Sequence, residues 1–240
     1  MIRMIFRGVR ERGPLGVARA VQRRLAQART QGILNAGKSL YSKFWFELRY
    51  GLVLNGRPKT AAPSPKGHVH YEPVCHFAFN DMMRGVDWNF RESAFLDYGC
   101  GKGAAILLAS CYGFKKYYGV EYVPELAREC DANIERFARI EARIIPHEIS
   151  CGNATRYEVP RDASVFCFFN PFDETLLDPV MQNIERSLRA NNRDVLVLYF
   201  NALHKDVMEK YGYSAVYQQA VDPINPSYHG GNFAYAKRRA

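Results

Sequence analysis

Residues 95–103 read FLDYGCGKG. An apolar run ends in Asp97, and glycines then occupy every second place, Gly99, Gly101 and Gly103. A tight turn needs one glycine, because glycine alone enters the left-handed backbone region without a Cβ penalty. Three of them mean that something comes close to the backbone. The stretch therefore predicts a buried strand over 93–99 that ends in a ligand-binding turn. A mostly apolar helix follows over 102–113, carried by Ala104, Ala105, Ile106, Leu107, Leu108 and Ala109.

The same alternation runs through the rest of the chain. Helical spacing at Val74, Phe77, Ala78 and Met82 marks a helix within 71–83. Strands are expected at 115–122, 143–149, 164–170 and 194–201. Between them, one helix has Pro124 in its first turn and apolar positions at Leu126, Cys130, Ile134 and Phe137. Another is marked by Leu177, Val180, Met181, Ile184 and Leu188. Two more strands, 214–221 and 232–238, close the chain. Strand and helix in turn, with strands apolar on both faces, predict a sheet covered on both sides. Right-handed crossovers make it doubly wound. The fold class is α/β: a doubly wound, mostly parallel, seven-stranded Rossmann-like sheet with an N-terminal helical extension. Ligands of such folds sit at the carboxyl ends of the strands, and the glycine stretch lies at one of them.

Charge divides the chain. The net charge is +9, yet residues 1–60 hold 13 basic and 2 acidic side chains and the remainder holds 20 and 22. The break falls at RPKTAAPSPKG, residues 57–67, whose prolines and small polar residues read as a linker. This gives a basic, helical extension over 1–60 and a cofactor-binding domain over 61–240. Val17, Val21 and Leu25 recur every fourth residue among Arg19, Arg23, Arg24 and Arg29, a basic helix with a modest apolar stripe. It could contact an anionic surface, nucleic acid or membrane, or pack on its own body. An arginine-rich, acid-poor start also resembles an organelle transit peptide.

No apolar run reaches the roughly 18 residues of a membrane span, and Phe44–Leu54 is interrupted by Glu47 and Arg49. The first residues lack the apolar core of a secretory signal. None of the six cysteines, Cys75, Cys100, Cys111, Cys130, Cys151 and Cys167, stands in a C-x-x-C pair or at zinc-like spacing. They read as reduced thiols in or near a core, which points to a cytoplasmic setting and no bound metal.

Gly99-x-Gly101-x-x-Ala104 matches the dinucleotide fingerprint in form. Asp97 argues against it. A carboxylate at the strand end repels a pyrophosphate and suits a cofactor with a cationic amino group. Here the chain resembles the class I S-adenosylmethionine-dependent methyltransferases, whose first motif, D-x-G-x-G-x-G, is filled by Asp97, Gly99, Gly101 and Gly103. The resemblance covers roughly residues 68–204. It implies that the loop cradles the amino-acid part of S-adenosyl-L-methionine and that Asp97 acts on its ammonium. Glu121, at the end of the second strand, would accept from the ribose hydroxyls, a device dehydrogenases share. C-G-N-A at 151–154 would flank the adenine, with Asn153 standing where the family usually has aspartate.

The segment FFNPF, 168–172, resembles the N-P-P-[YF] tetrapeptide of amino-group methyltransferases with one proline missing. By that likeness Asn170 and a main-chain carbonyl hold a target nitrogen and Phe172 packs on it. The alternative is a strand-ending turn with Asp173 capping the next helix. Tyr71 and Glu72 resemble a Y-E segment that closes over the cofactor. The implied cofactor set is Asp97, Gly99, Cys100, Gly101, Gly103, Glu121, Tyr122, Asn153, Ala154, Asn170, Tyr71 and Glu72. The implied catalytic set is Asn170, Pro171, Phe172 and Tyr71. His68 and His70 are candidate bases or bystanders, and Lys102 reads as a solvated side chain at the helix start.

Together these readings give a methyltransferase acting on a nitrogen nucleophile. The acceptor stays open among a small molecule, a protein and a nucleic acid. Two rivals stand beside it, an NAD(P)-dependent oxidoreductase and a cofactor-binding scaffold without turnover.

Overall fold

Strands that are apolar on both faces have no side to show to water, so the sheet they form must be covered twice. The computed structural model describes residues 33–56, 72–169, 172–219 and 229–239, and it has this arrangement. The strands are β1 (Ala94–Tyr98), β2 (Lys116–Glu121), β3 (His147–Cys151), β4 (Ala163–Phe169), β5 (Val195–Phe200), β6 (Ser214–Gln219) and β7 (Asn232–Lys237). They form one sheet in the order β3-β2-β1-β4-β5-β7-β6. β1 to β5 pair in parallel, and β7 runs antiparallel to both β5 and β6. The fold is the doubly wound, mostly parallel seven-stranded α/β architecture expected from the alternation.

Six α-helices accompany the strands among the described residues: α1 (Ile33–Tyr50), α2 (His76–Gly85), α3 (Ala104–Ala109), α4 (Pro124–Ile140), α5 (Glu174–Ala190) and α6 (Lys205–Lys210). Side chains alternate across a strand, and so the sheet carries two cores. One face joins Phe95, Val165, Cys167, Leu196 and Leu198 to the apolar sides of α2, α3 and α4. The other joins Leu96, Tyr98, Phe166, Phe168 and Val197 to α5 and α6.

Two elements differ from their expected bounds. The helix expected within 71–83 begins at His76, after an extended Cys75. The third strand, expected at 143–149, runs over His147–Cys151. Ile144 and Ile145 suggested an earlier start, but Ile144 is 90% exposed and Pro146 has no amide for a ladder. β3 pairs only with β2 and is half-buried, so its apolar pattern is faint.

The described part of the N-terminal segment joins the first core. Phe46 of α1 meets Phe137 of α4 edge-on, with ring centroids 6.0 Å apart, and Tyr50 meets the same ring at 4.6 Å. Gly51 then takes a φ of 64°, and the returning chain buries Leu52 and Leu54. The apolar stretch 44–54 is thus the end of an amphipathic helix plus a return strap. Among the described residues no helix is long and apolar enough to cross a membrane. All six cysteines are free: Cys75, Cys100, Cys130 and Cys167 are buried, and Cys111 and Cys151 are exposed. The basic helix read at 17–29, the linker at 57–67, and His68, His70 and Tyr71 lie outside the described residues.

Candidate functional site

β1 hydrogen-bonds to β2 on one side and β4 on the other, so the strand order reverses there. The crevice at the carboxyl ends beside such a reversal is where doubly wound folds take their ligands. The glycine loop lies at this point. Gly99, Gly101 and Gly103 all have positive φ, at 76°, 53° and 88°. The amides of Gly99 and Cys100 both donate to the Val120 carbonyl, at 2.9 and 3.1 Å, which pins the loop to the end of β2. Gly103 is the left-handed cap of α3, and a Cβ built on it would lie 2.9 Å from Cys130 Sγ. The glycine spacing thus has a backbone cause at all three places.

Alternation places Asp97 and Glu121 on the same sheet face, on adjacent strands, with Asp97 opposite Gly119 and two residues short of Glu121. Both are buried. Burial pushes the Asp97 carboxyl up to about 7, and the nearby Glu121 charge pushes it the same way. A hydrogen bond with the Cys167 thiol opposes this. Burial also raises Glu121, opposed by main-chain amides that donate to it. Gly101 N–H donates to Glu121 Oε2 at 2.9 Å and Val123 N–H to Oε1 at 2.8 Å. The Tyr122 main chain also donates to this carboxylate, so the ionised group keeps a single further acceptor direction for a hydroxyl.

The remaining residues of the expected cofactor set are placed as follows. Cys100 turns its thiol into the core, where a Cβ on Gly119 would stand 2.8 Å from it, so only its main chain faces the crevice. Tyr122 is 43% exposed and follows Glu121 directly. Asn153 Oδ1 receives Thr155 N–H and Thr155 Oγ1, each at 2.9 Å, and caps the short turn that begins with buried Ala154. Glu72 is exposed just before α2. Asn170 and Pro171, like Tyr71, lie outside the described residues.

Phe172 is buried in the core under α5, beside Leu177 and Val180. Asp173 caps α5, accepting Leu176 N–H at 3.3 Å and Thr175 Oγ1 at 2.6 Å. The turn-and-cap reading of this segment is therefore realised for Asp173.

Lys102 corrects its sequence reading. Its ammonium is not solvated at the helix start. It is 4% exposed, 2.9 Å from Glu129 Oε2, and donates to the Asn55 carbonyl at 3.3 Å. No local pattern signals this, because its partners stand on other elements.

Asn201, just past β5, is a second residue the motifs missed. It holds a φ of 49°, which asparagine tolerates better than other side chains. Asn201 Oδ1 receives Gly230 N–H at 3.1 Å, and its own amide donates to Asn232 Oδ1 at 3.2 Å. A left-handed residue at the carboxyl end of a central strand is where strain and ligand contact tend to coincide.

A cavity of about 790 Å³ opens beside β3. Its lining includes Val120, Ser150, Asn153, Arg156 and Tyr157. Val120 belongs to the α5 face, opposite Asp97 and Glu121, so the cavity meets the glycine crevice only around Cys151–Asn153. It exists because a short turn, rather than a full helix, follows β3 on this side.

These features define a class of protein: an α/β chain with a glycine-lined crevice, flanked by two buried acids, at the switch point of a doubly wound sheet. No family model matches the chain, and no curated protein matches it. Solved structures do. One is a SAM-dependent methyltransferase from Aquifex aeolicus, with 10% identity over 68% of this chain and 89% of that one and a TM-score of 0.48. A second is an RNA methyltransferase from Salinibacter ruber in complex with S-adenosyl-L-homocysteine, with 14% identity over 70% and 94% and a TM-score of 0.45. A third is an rRNA methylase from Streptococcus thermophilus, with 16% identity over 68% and 95% and a TM-score of 0.45. Each is a likeness of fold at low identity.

Proposed function

We propose that the chain is an S-adenosylmethionine-dependent methyltransferase that acts on a nitrogen nucleophile. The observation that carries the cofactor is the pair Asp97 and Glu121, buried on one sheet face beneath three left-handed glycines. A pyrophosphate brought there would meet two carboxyl groups. A ligand ammonium instead relieves the cost of ionising Asp97 in an apolar setting. The residues present fit the cofactor: bare amides and no Cβ at the loop, an acid for the amino group, and a carboxylate with an acceptor direction left for a ribose hydroxyl.

When bound, S-adenosylmethionine supplies a methyl group on a sulfonium whose departure leaves a neutral thioether. Little acid–base machinery is then needed, and the chain's task is orientation and exclusion of water. Asp97 and the loop hold the amino-acid end, Glu121 the ribose, and Tyr122 with Asn153 the base. Asn170 and a main-chain carbonyl accept from the target nitrogen and aim its lone pair, while Phe172 braces the segment from the core. Tyr71 and Glu72 cover the site. The product's extra proton leaves to solvent. Support for nitrogen comes from the Asn170-Pro171-Phe172 sequence alone.

Thermal unfolding tests the cofactor. S-adenosylhomocysteine at 100 times its Kd should add about 2.7 kcal/mol of stability, and NAD should add none. Stabilisation by NAD alone would overturn the reading. Transfer of a tritiated methyl group into amine-bearing small molecules, proteins or RNA then separates an enzyme from an inactive scaffold and names the acceptor class.

A further inference from the structure

We propose that Lys102 is a positioning residue, a clamp that ties the glycine loop to the strap behind α1 and so makes residues 33–56 part of the frame of the cofactor site. This rests on the cofactor assignment above.

Three contacts converge on this one loop residue. Its ammonium is paired with Glu129 at 2.9 Å and donates to the Asn55 carbonyl at 3.3 Å. Its own carbonyl receives Asn133 Nδ2 at 3.0 Å. Glu129 and Asn133 stand four apart on α4, hence on one face of that helix. Asn55 is itself buried, and its side-chain amide donates to Glu47 Oε1 of α1 at 3.0 Å. A chain of polar contacts thus runs from α1 through the strap to the loop and on to α4.

The position of Lys102 within the loop gives the clamp its purpose. It stands between Gly101, whose amide is held by Glu121, and Gly103, which caps α3. Glycine loses more backbone freedom on ordering than any other residue. A loop that alternates glycine with other residues would be costly to order at the moment of binding. Fixing its middle residue from two sides moves that cost into folding and leaves the loop preorganised. A buried ammonium is itself expensive unless paired and hydrogen-bonded, and here it is both. A lysine needed only for solubility would not be spent in this place.

The test uses the full chain with Lys102→Met, Lys102→Arg and Glu129→Gln. Two readouts are taken: amide exchange at Gly101 and Gly103 without ligand, and titration with S-adenosylhomocysteine. Lys102→Met should speed exchange at both glycines relative to Leu198 in β5 and weaken the ligand by about tenfold. Lys102→Arg, which keeps the cation, should restore affinity, and Glu129→Gln should act in the direction of Lys102→Met. If Lys102→Met does not fold, Glu129→Gln decides, since Glu129 lies partly in solvent. Exchange and affinity like wild type would overturn the clamp. So would faster exchange spread equally to β5, which marks a general loss of stability. A wild-type chain that ignores S-adenosylhomocysteine would overturn the methyltransferase reading, while the exchange data would still decide the clamp.

Discussion

Gly101 donates its amide to the carboxylate of Glu121 across 2.9 Å. The residue assigned to the ribose therefore also holds the loop assigned to the amino acid, and the two halves of the crevice share one side chain. Glu121→Ala should lower S-adenosylhomocysteine affinity by more than the loss of a ribose contact, on the order of a hundredfold. Glu121→Gln should not rescue it. One end of the amide is an NH2 that would face an N–H donor, either Gly101 or Val123. Isothermal titration of both variants checks this, and full affinity in Glu121→Gln would remove the shared role.

Asp97 gives the protein a pH signature. A free aspartate titrates near about 3.9, whereas Asp97 in the fold titrates at about 7. The folded state therefore favours the protonated form. Stability from that preference is complete below about pH 4 and is lost as pH rises through about 7. Asp97→Asn should be more resistant to urea than wild type at pH 8 and flatter in its pH dependence. The same variant should bind S-adenosylhomocysteine more weakly, because no carboxylate remains for the ammonium. Wild-type affinity should rise with pH up to about 7 as Asp97 ionises.

Gly103 is constrained twice, by a φ of 88° and by the 2.9 Å approach of Cys130 Sγ to an added Cβ. Gly103→Ala should cost about 1–2 kcal/mol from backbone strain alone, and more from the contact. In a Cys130→Ala background the contact part should vanish and the strain part remain. Urea unfolding of the four-member cycle measures the coupling, and additivity would show that the thiol gives way freely.

Phe46 tests how firmly α1 belongs to the body. It is buried and meets Phe137 edge-on. Phe46→Ala should cost about 3–5 kcal/mol, the range for a buried aromatic. A loss below about 1 kcal/mol would mean that α1 is an appendage.

Legibility varied with the kind of signal. β1, β4 and β5 announced themselves because both faces are apolar, and α4 because Pro124 and a regular stripe mark it. β3 was misplaced by four residues at its start, since an edge strand shares its burial with solvent and two isoleucines before Pro146 imitate it. Lys102 was misread because an ammonium inside a polar loop carries no sign of where its partner lies. Glu129 is 27 positions further along the chain and Asn55 47 positions back.

The sequence by itself determined the order of strands and helices, the place of the glycine turn and the acids beside it. Those depend on local pattern: periodicity, the glycine requirement at positive φ, and the charge of one residue at a strand end. Only the tertiary structure decided which strands are neighbours, that Asp97 and Glu121 share a face, and that the strap behind α1 reaches the loop. Such facts arise when elements distant in sequence must bury their apolar faces together. The partner of a buried charge is then whatever packing brings within reach.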